Sequence, residues 1–124
     1  MFSKDSDPRS VLKIDNKISG KVIRVTANVI DPFWGTQYPA TKQDAVRNAQ
    51  AGIDAALGWD GRSGTIRELV EKGIPVVILT HWQSLFSEGR LTGLTALVEL
   101  AERVRRVFGP GMEWQSMEEL AWSR

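Results

Sequence analysis

The sequence predicts an α/β protein, and three stretches carry that prediction. Val76 to Leu79 is a short, continuously apolar run rich in β-branched residues. An alternating pattern would mean one wet face, whereas an unbroken run suits a strand buried on both faces, as in parallel sheets. Thr92 to Phe108 places Leu94, Leu97, Val98, Ala101, Val104 and Phe108 on one stripe at helical spacing. Lys21 to Ile30 concentrates Val22, Ile23, Val25, Thr26, Val29 and Ile30, and reads as a strand.

In chain order, residues 1–20 read as an irregular arm ending at Gly20, and residues 21–124 as a single domain. The first strand stops at Asp31 and Pro32, because proline cannot donate to a ladder and restricts the residue before it. A loop with Trp34 and Tyr38 follows. Thr41 and Asp44 have the spacing of a capping box, and open a helix with Val46, Ala49, Ile53, Ala56 and Leu57 inward. Gly58 stops it, and a glycine-rich link runs to Gly64. Thr65 and Glu68 repeat the capping spacing before a short helix with Ile66, Leu69 and Val70 inward, which ends at Gly73. Helix, glycine and apolar strand together make the αβ half of a βαβ unit. Past Leu79 a loop leads to the 92–108 helix, whose wet side pairs Glu99 with Arg103 and Glu102 with Arg106. Gly109 to Gly111 ends that helix, Met112 to Trp114 suits a short strand, and Ser116 with Glu119 caps a last helix carrying Met117, Leu120 and Ala121 inward. The order is β-α-α-β-α-β-α.

Composition narrows the function. There is no cysteine, which excludes a disulfide framework, a thiolate nucleophile and a cysteine metal site. A single histidine excludes metal sites that need several from one copy of the chain. A net charge of +1 gives no bulk electrostatic reason to expect nucleic acid. The first ten residues are polar with no apolar segment behind them, unlike a signal peptide. The run from Ile74 to Leu79 is far short of the ~18 residues that span a bilayer, so no membrane partner and a soluble, cytoplasmic chain are expected. Gly58 to Gly64 lacks the Gly-Lys-Ser/Thr ending of a phosphate loop, and Ser63, Ser84 and Ser87 lack a nucleophile-elbow context.

His81 stands two residues beyond Leu79, where the apolar strand runs out. Ligands of parallel α/β proteins bind outside the carboxyl ends of the strands, and imidazole changes charge near neutral pH. His81 is therefore a candidate acid or base; a histidine that caps a loop or packs on Trp82 is the other reading. Asp31, at the end of the first strand, is the one acid placed like a catalytic carboxylate, and the turn chemistry before Pro32 favours its other reading, a turn residue. Trp34 and Tyr38 either line a site or cover open core.

Leu79, Thr80 and His81 have the form Leu-x-His at the end of a hydrophobic strand. With the following loop, the long helix bearing Arg103, the segment around Glu113 and Trp114 and the closing helix, the stretch from about residue 65 to residue 122 resembles the C-terminal part of NodB-type polysaccharide deacetylases, the carbohydrate esterase family 4 group. The resemblance implies an irregular (β/α) barrel, of which this chain would be a partial segment. It implies removal of acetyl groups from N-acetylated sugars with a zinc-like divalent metal, which polarises the amide and activates water. It gives His81 the role of acid towards the leaving amine and Leu79 that of lining the pocket for the acetate methyl. Trp82 and Trp34 become candidate sugar-binding residues. The family's Thr-x-Asp-Asp segment and His-x-x-x-His pair, which supply its metal ligands, are absent here, so no metal ligand is assigned. The chain then reads as an incomplete or truncated deacetylase. A different class of function is a non-catalytic α/β module, in which half a barrel with unpaired sheet edges pairs with another copy.

Overall fold

The computed structural model describes residues 12–15, 22–37 and 41–122. It contains strands β1 (Leu12–Asp15), β2 (Val22–Val25) and β3 (Val29–Ile30), helices α1 (Lys42–Ala56) and α2 (Thr65–Glu71), strand β4 (Ile78–Leu79), and helices α3 (Trp82–Phe86), α4 (Thr92–Phe108) and α5 (Met117–Trp122). The protein is mixed α/β and mostly helical. Its central strands are parallel, as the apolar run at 76–79 predicts: β3 pairs with β4 through Val29 opposite Ile78 and Ile30 opposite Leu79.

The β-branched run from 21 to 30 is two strands rather than one. β2 pairs antiparallel with β1, while β3 joins β4 in a separate sheet. Asn28 makes the break. Its amide Nδ2 donates to the Pro75 carbonyl at 2.8 Å, and its Oδ1 accepts from the Val77 backbone at 2.9 Å. A side chain that bonds neighbouring backbone in this way competes with a continuing ladder. The arm expected to be irregular over 1–20 contains β1, whose register runs from Leu12 opposite Val25 to Asp15 opposite Val22. Sequence alone offers no way to see a four-residue strand that depends on a partner. Tyr38 lies outside the described residues.

α1 begins as its cap predicts, with the Thr41 hydroxyl accepting from the Asp44 backbone N–H at 3.1 Å. Its buried face is Ala45, Ala49, Ile53 and Ala56, and Val46 is exposed rather than inward. The small alanines let α4 lie close, and a valine on the seam would hold the helices apart. α2 is capped at Gly64, with Thr65 inside the helix, and buries Ile66 and Leu69 while Val70 stays partly exposed. α4 has the bounds its pattern predicts, and Leu97, Val104 and Phe108 of the expected stripe pack against the core, but the most buried row lies to one side of that stripe. Gly93, Ala96, Leu100 and Arg103 are buried, whereas Leu94 and Val98 face outward. Arg103, expected on a wet face, donates to Asp54 Oδ1 at 2.8 Å and to the Leu57 carbonyl at 2.9 Å, under the Trp59 ring. It ties the C-terminal end of α1 to α4, where a cation also suits the helix dipole.

The main core gathers Phe33, Ile53, Leu57, Leu69 and Leu100, with Val29 and Ile78 presented from the inner face of the parallel pair. The outer face is not closed as the continuous apolar run suggests. Ile30 is 65% exposed and Leu79 40%, and only Val77 is covered, by Leu120 of α5 and Val25 of β2. Met112–Trp114 forms no strand, and Met117 is exposed. The final cap holds: the Ser116 hydroxyl accepts from the Glu119 N–H and the Glu119 carboxylate accepts from the Ser116 N–H, each at 3.1 Å.

Candidate active site

The two parallel strands end side by side, so the residues that follow them meet at one rim. Asp31 follows β3 and its N–H donates to the Leu79 carbonyl at 2.8 Å, which extends the ladder by one bond. Pro32 then turns the chain. Asp31 Oδ1 accepts from the Phe33 N–H at 3.1 Å, an Asx turn in which the carboxylate stands in for a backbone carbonyl. Phe33 is fully buried and pins the loop into the core. The carbonyl of Pro32 lies so near Gly52 of α1 that a Cβ there would sit 1.8 Å from its oxygen. Phe33 and Gly52 together therefore fix where Asp31 stands.

His81 follows β4, with one residue between, and is the N-cap residue of α3 in an extended conformation. Its Nδ1 lies 2.6 Å from Asp31 Oδ2. The contact spans 50 residues of sequence and joins the two candidates that the sequence names separately. The Asp31 side chain is 3% exposed and that of His81 41%. A buried carboxylate is thus paired with an imidazole whose other side is open. An ionised carboxylate only accepts, so in that pairing Nδ1 would carry the proton and Nε2 would be the nitrogen left to take or give one. A general acid or base needs its ring held in one tautomer with the other nitrogen available.

The two oxygens of Asp31 have different partners. Oδ1 makes the turn and Oδ2 faces the histidine. Trp34, in the helical turn at Trp34–Thr36, meets the imidazole edge-on, with ring centroids 5.1 Å apart and planes at 74°. Leu79 lies at the same strand end, beside Ile30 on the open face. Trp82 is not part of this group. It is 71% exposed and its ring neighbour is Phe86, at 6.5 Å. Of the five candidate residues, then, the fold gathers Asp31, His81 and Trp34 into contact, sets Leu79 at the same strand end and leaves Trp82 pointing elsewhere.

One residue of the site is not apparent from the sequence. Ser84 is fully buried, and its hydroxyl donates to Asp31 Oδ2 at 2.7 Å, the same oxygen that faces His81. The stretch after Leu79 reads as a loop, and α3 is too short to display a helical period. Its place three residues after His81 is a signal only once α3 is known to be a helix, since i and i+3 then share a face.

The described residues bring together no group of three or more His, Cys, Asp or Glu side chains able to hold a metal ion. The donor set present does not fit the divalent metal that the resemblance implies. Asp31 already accepts from Phe33 and Ser84 and faces His81. No helix of the described residues is long and apolar enough to cross a membrane. Comparison with protein-family models, with curated proteins and with solved structures found no match.

Proposed function

We propose that this chain carries the acid–base part of a hydrolase that removes acetyl groups from N-acetylated carbohydrates, and that it is incomplete on its own. The observation that supports the reading is the 2.6 Å contact between His81 Nδ1 and Asp31 Oδ2 at the ends of two parallel strands. Hydrolysis of an amide needs a proton delivered to the departing nitrogen, since an amine anion is too basic to leave. Protonated at both nitrogens, His81 holds that proton on Nε2, while Asp31 stabilises the imidazolium through Nδ1. Trp34 would offer its ring to a sugar face, and Leu79, partly exposed beside the pair, an apolar wall for the acetyl methyl. β3 and β4 would be two strands of an irregular (β/α) barrel. The divalent metal of such a hydrolase would be held by residues supplied from other sequence or another chain, because this one gathers no ligand set among its described residues.

The test uses N-acetylated oligosaccharides with added zinc or cobalt, on the natural sequence and on His81→Ala. Because His81 is the only histidine, its imidazole resonances report binding without assignment. Sugar is expected to shift those resonances, and any turnover is expected to fall about 10²–10⁴-fold in His81→Ala. The absence of both a shift at saturating sugar and any turnover would sink the proposal.

A second reading, a module that dimerises through its sheet edges, is favoured by one observation. Among the described residues no third strand joins the parallel pair, and Ile30 and Leu79 lie exposed side by side on it. Unpaired edges recruit strands from other chains. Light scattering decides it: a monomer at high concentration that melts cooperatively counts against the dimer.

A further inference from the structure

The imidazole of His81 stands at the end of a two-residue strand and is half exposed, so little of the core grips it directly. Its geometry is inherited from Asp31, and that of Asp31 from two donors. The Phe33 N–H holds Oδ1 and the Ser84 hydroxyl holds Oδ2. Two bonds on different oxygens fix the plane of a carboxylate, whereas one leaves it free to swivel.

Ser84 is itself held by a buried chain of hydroxyls. Its carbonyl accepts from Thr36 Oγ1 at 2.8 Å and from Ser87 Oγ at 2.6 Å. Ser87 Oγ in turn accepts from the Gly93 N–H at 2.9 Å, at the start of α4. Gly93 packs against the Ser84 carbonyl so closely that a Cβ would lie 1.9 Å from its oxygen. Ser84, Ser87 and Thr36 are all fully buried. Buried hydroxyls are costly unless bonded, and a fully satisfied network rigidifies its surroundings. Here the network joins the loop after β3, α3 and α4 at Ser84, whose hydroxyl touches the carboxylate.

We propose that Ser84 is a positioning residue for the Asp31–His81 pair: its hydroxyl orients the Asp31 carboxylate so that Oδ2 accepts a hydrogen bond from Nδ1–H and His81 is kept in the tautomer with Nε2 free. This rests on reading Asp31 and His81 as an acid–base pair. The bland alternative is a serine that only satisfies its share of the core. It predicts that losing Ser84 acts on stability alone, as losing Ser87 does, because Ser87 has the same burial and the same network but touches neither Asp31 nor His81.

The lone histidine makes the two separable. In uniformly ¹⁵N-labelled protein, long-range ¹⁵N–¹H spectra of the imidazole give the tautomer directly. The natural sequence is expected to show the Nδ1–H form. Ser84→Ala is expected to move the tautomer ratio several-fold towards Nε2–H, up to about tenfold for one lost charge-assisted hydrogen bond. Ser84→Thr, which keeps the hydroxyl, is expected to restore it, and Ser87→Ala to leave it unchanged. If Ser84→Ala does not fold, Ser84→Cys, close in shape with a weak donor, is expected to shift the ratio in the same direction. Asp31→Asn separates the two claims. A shift in Asp31→Asn with none in the Ser84 variants overturns the role of Ser84 and leaves the pair standing. No shift in Asp31→Asn means that the pair does not form in solution, and both claims fall. Equal shifts in Ser84→Ala and Ser87→Ala make the effect a general loosening and also overturn the proposal.

Discussion

The two faces of the parallel pair are built on opposite principles. On the inner face Val29 and the partly buried Ile78 join the core of Ile53, Leu69 and Leu100 from α1, α2 and α4, and shape decides which residue fits. At the rim and on the outer face, Ile30, Leu79 and Trp34 are open to solvent, and the polar groups are placed by hydrogen bonds. Asp31 alone takes part in three of these, with Phe33, His81 and Ser84. The difference teaches that apolar packing and the placement of polar groups are divided between separate sides of the same two strands. The closed side is apolar around the strands, and its buried cation, Arg103, is bonded to Asp54 and the Leu57 carbonyl. The open side spends buried polar groups on holding one carboxylate.

That division can be broken by mutation. Truncating the closed side should have the largest effect: Leu100→Ala removes a side chain that is 1% exposed and is expected to cost about 2–5 kcal/mol, read by chemical denaturation. A loss under ~1 kcal/mol would mean that the core is much looser than described. Gly52→Ala comes next, and it probes the joint between the sides. The new Cβ has no room beside the Pro32 carbonyl, so either α1 or the loop must move. A cost of about 1–3 kcal/mol is expected, with a change in the His81 imidazole signal that Leu100→Ala does not produce in its folded fraction. An unchanged signal would uncouple the loop from the site. The smallest effect is expected at Ile30→Ser on the open face. It should change stability by no more than about 0.5 kcal/mol at low concentration, because the side chain is already in water. If the dimer reading holds, that same substitution should abolish any dependence of the melting temperature on concentration.

Much of the fold is legible in the residues, and what is missed has consistent physical causes. Thr41 with Asp44 and Ser116 with Glu119 mark helix starts because capping is local chemistry. The bounds of α4 follow from its period and from the glycines after it, but its orientation does not. α4 carries apolar residues on more than one side, and the sequence does not say whether the row with Leu94 and Val98 or the row with Ala96 and Leu100 faces α1. Packing chooses the second row, because Ala96 beside the alanines of α1 allows close approach. The split of 21–30 into two strands depends on Asn28 bonding to backbone around residues 75–77, about fifty positions away. α3 is missed because five residues make too short a stretch to show a period.

At the site the same line can be drawn. The sequence by itself determined that a histidine and an aspartate would each stand just past an apolar strand. β-branched runs that end at a proline or a polar residue leave the next side chain at the rim. It also determined that these 124 residues supply no second histidine and no cysteine to join them. Only the tertiary structure decided that the two strands are neighbours, that they run parallel, and that Asp31 Oδ2 therefore lies 2.6 Å from His81 Nδ1 with Ser84 on the same oxygen. Strand register is a long-range property, set by which side chains pack between the sheet and its helices. A one-residue slip of β3 against β4 would turn Asp31 to a different neighbour and leave the composition untouched.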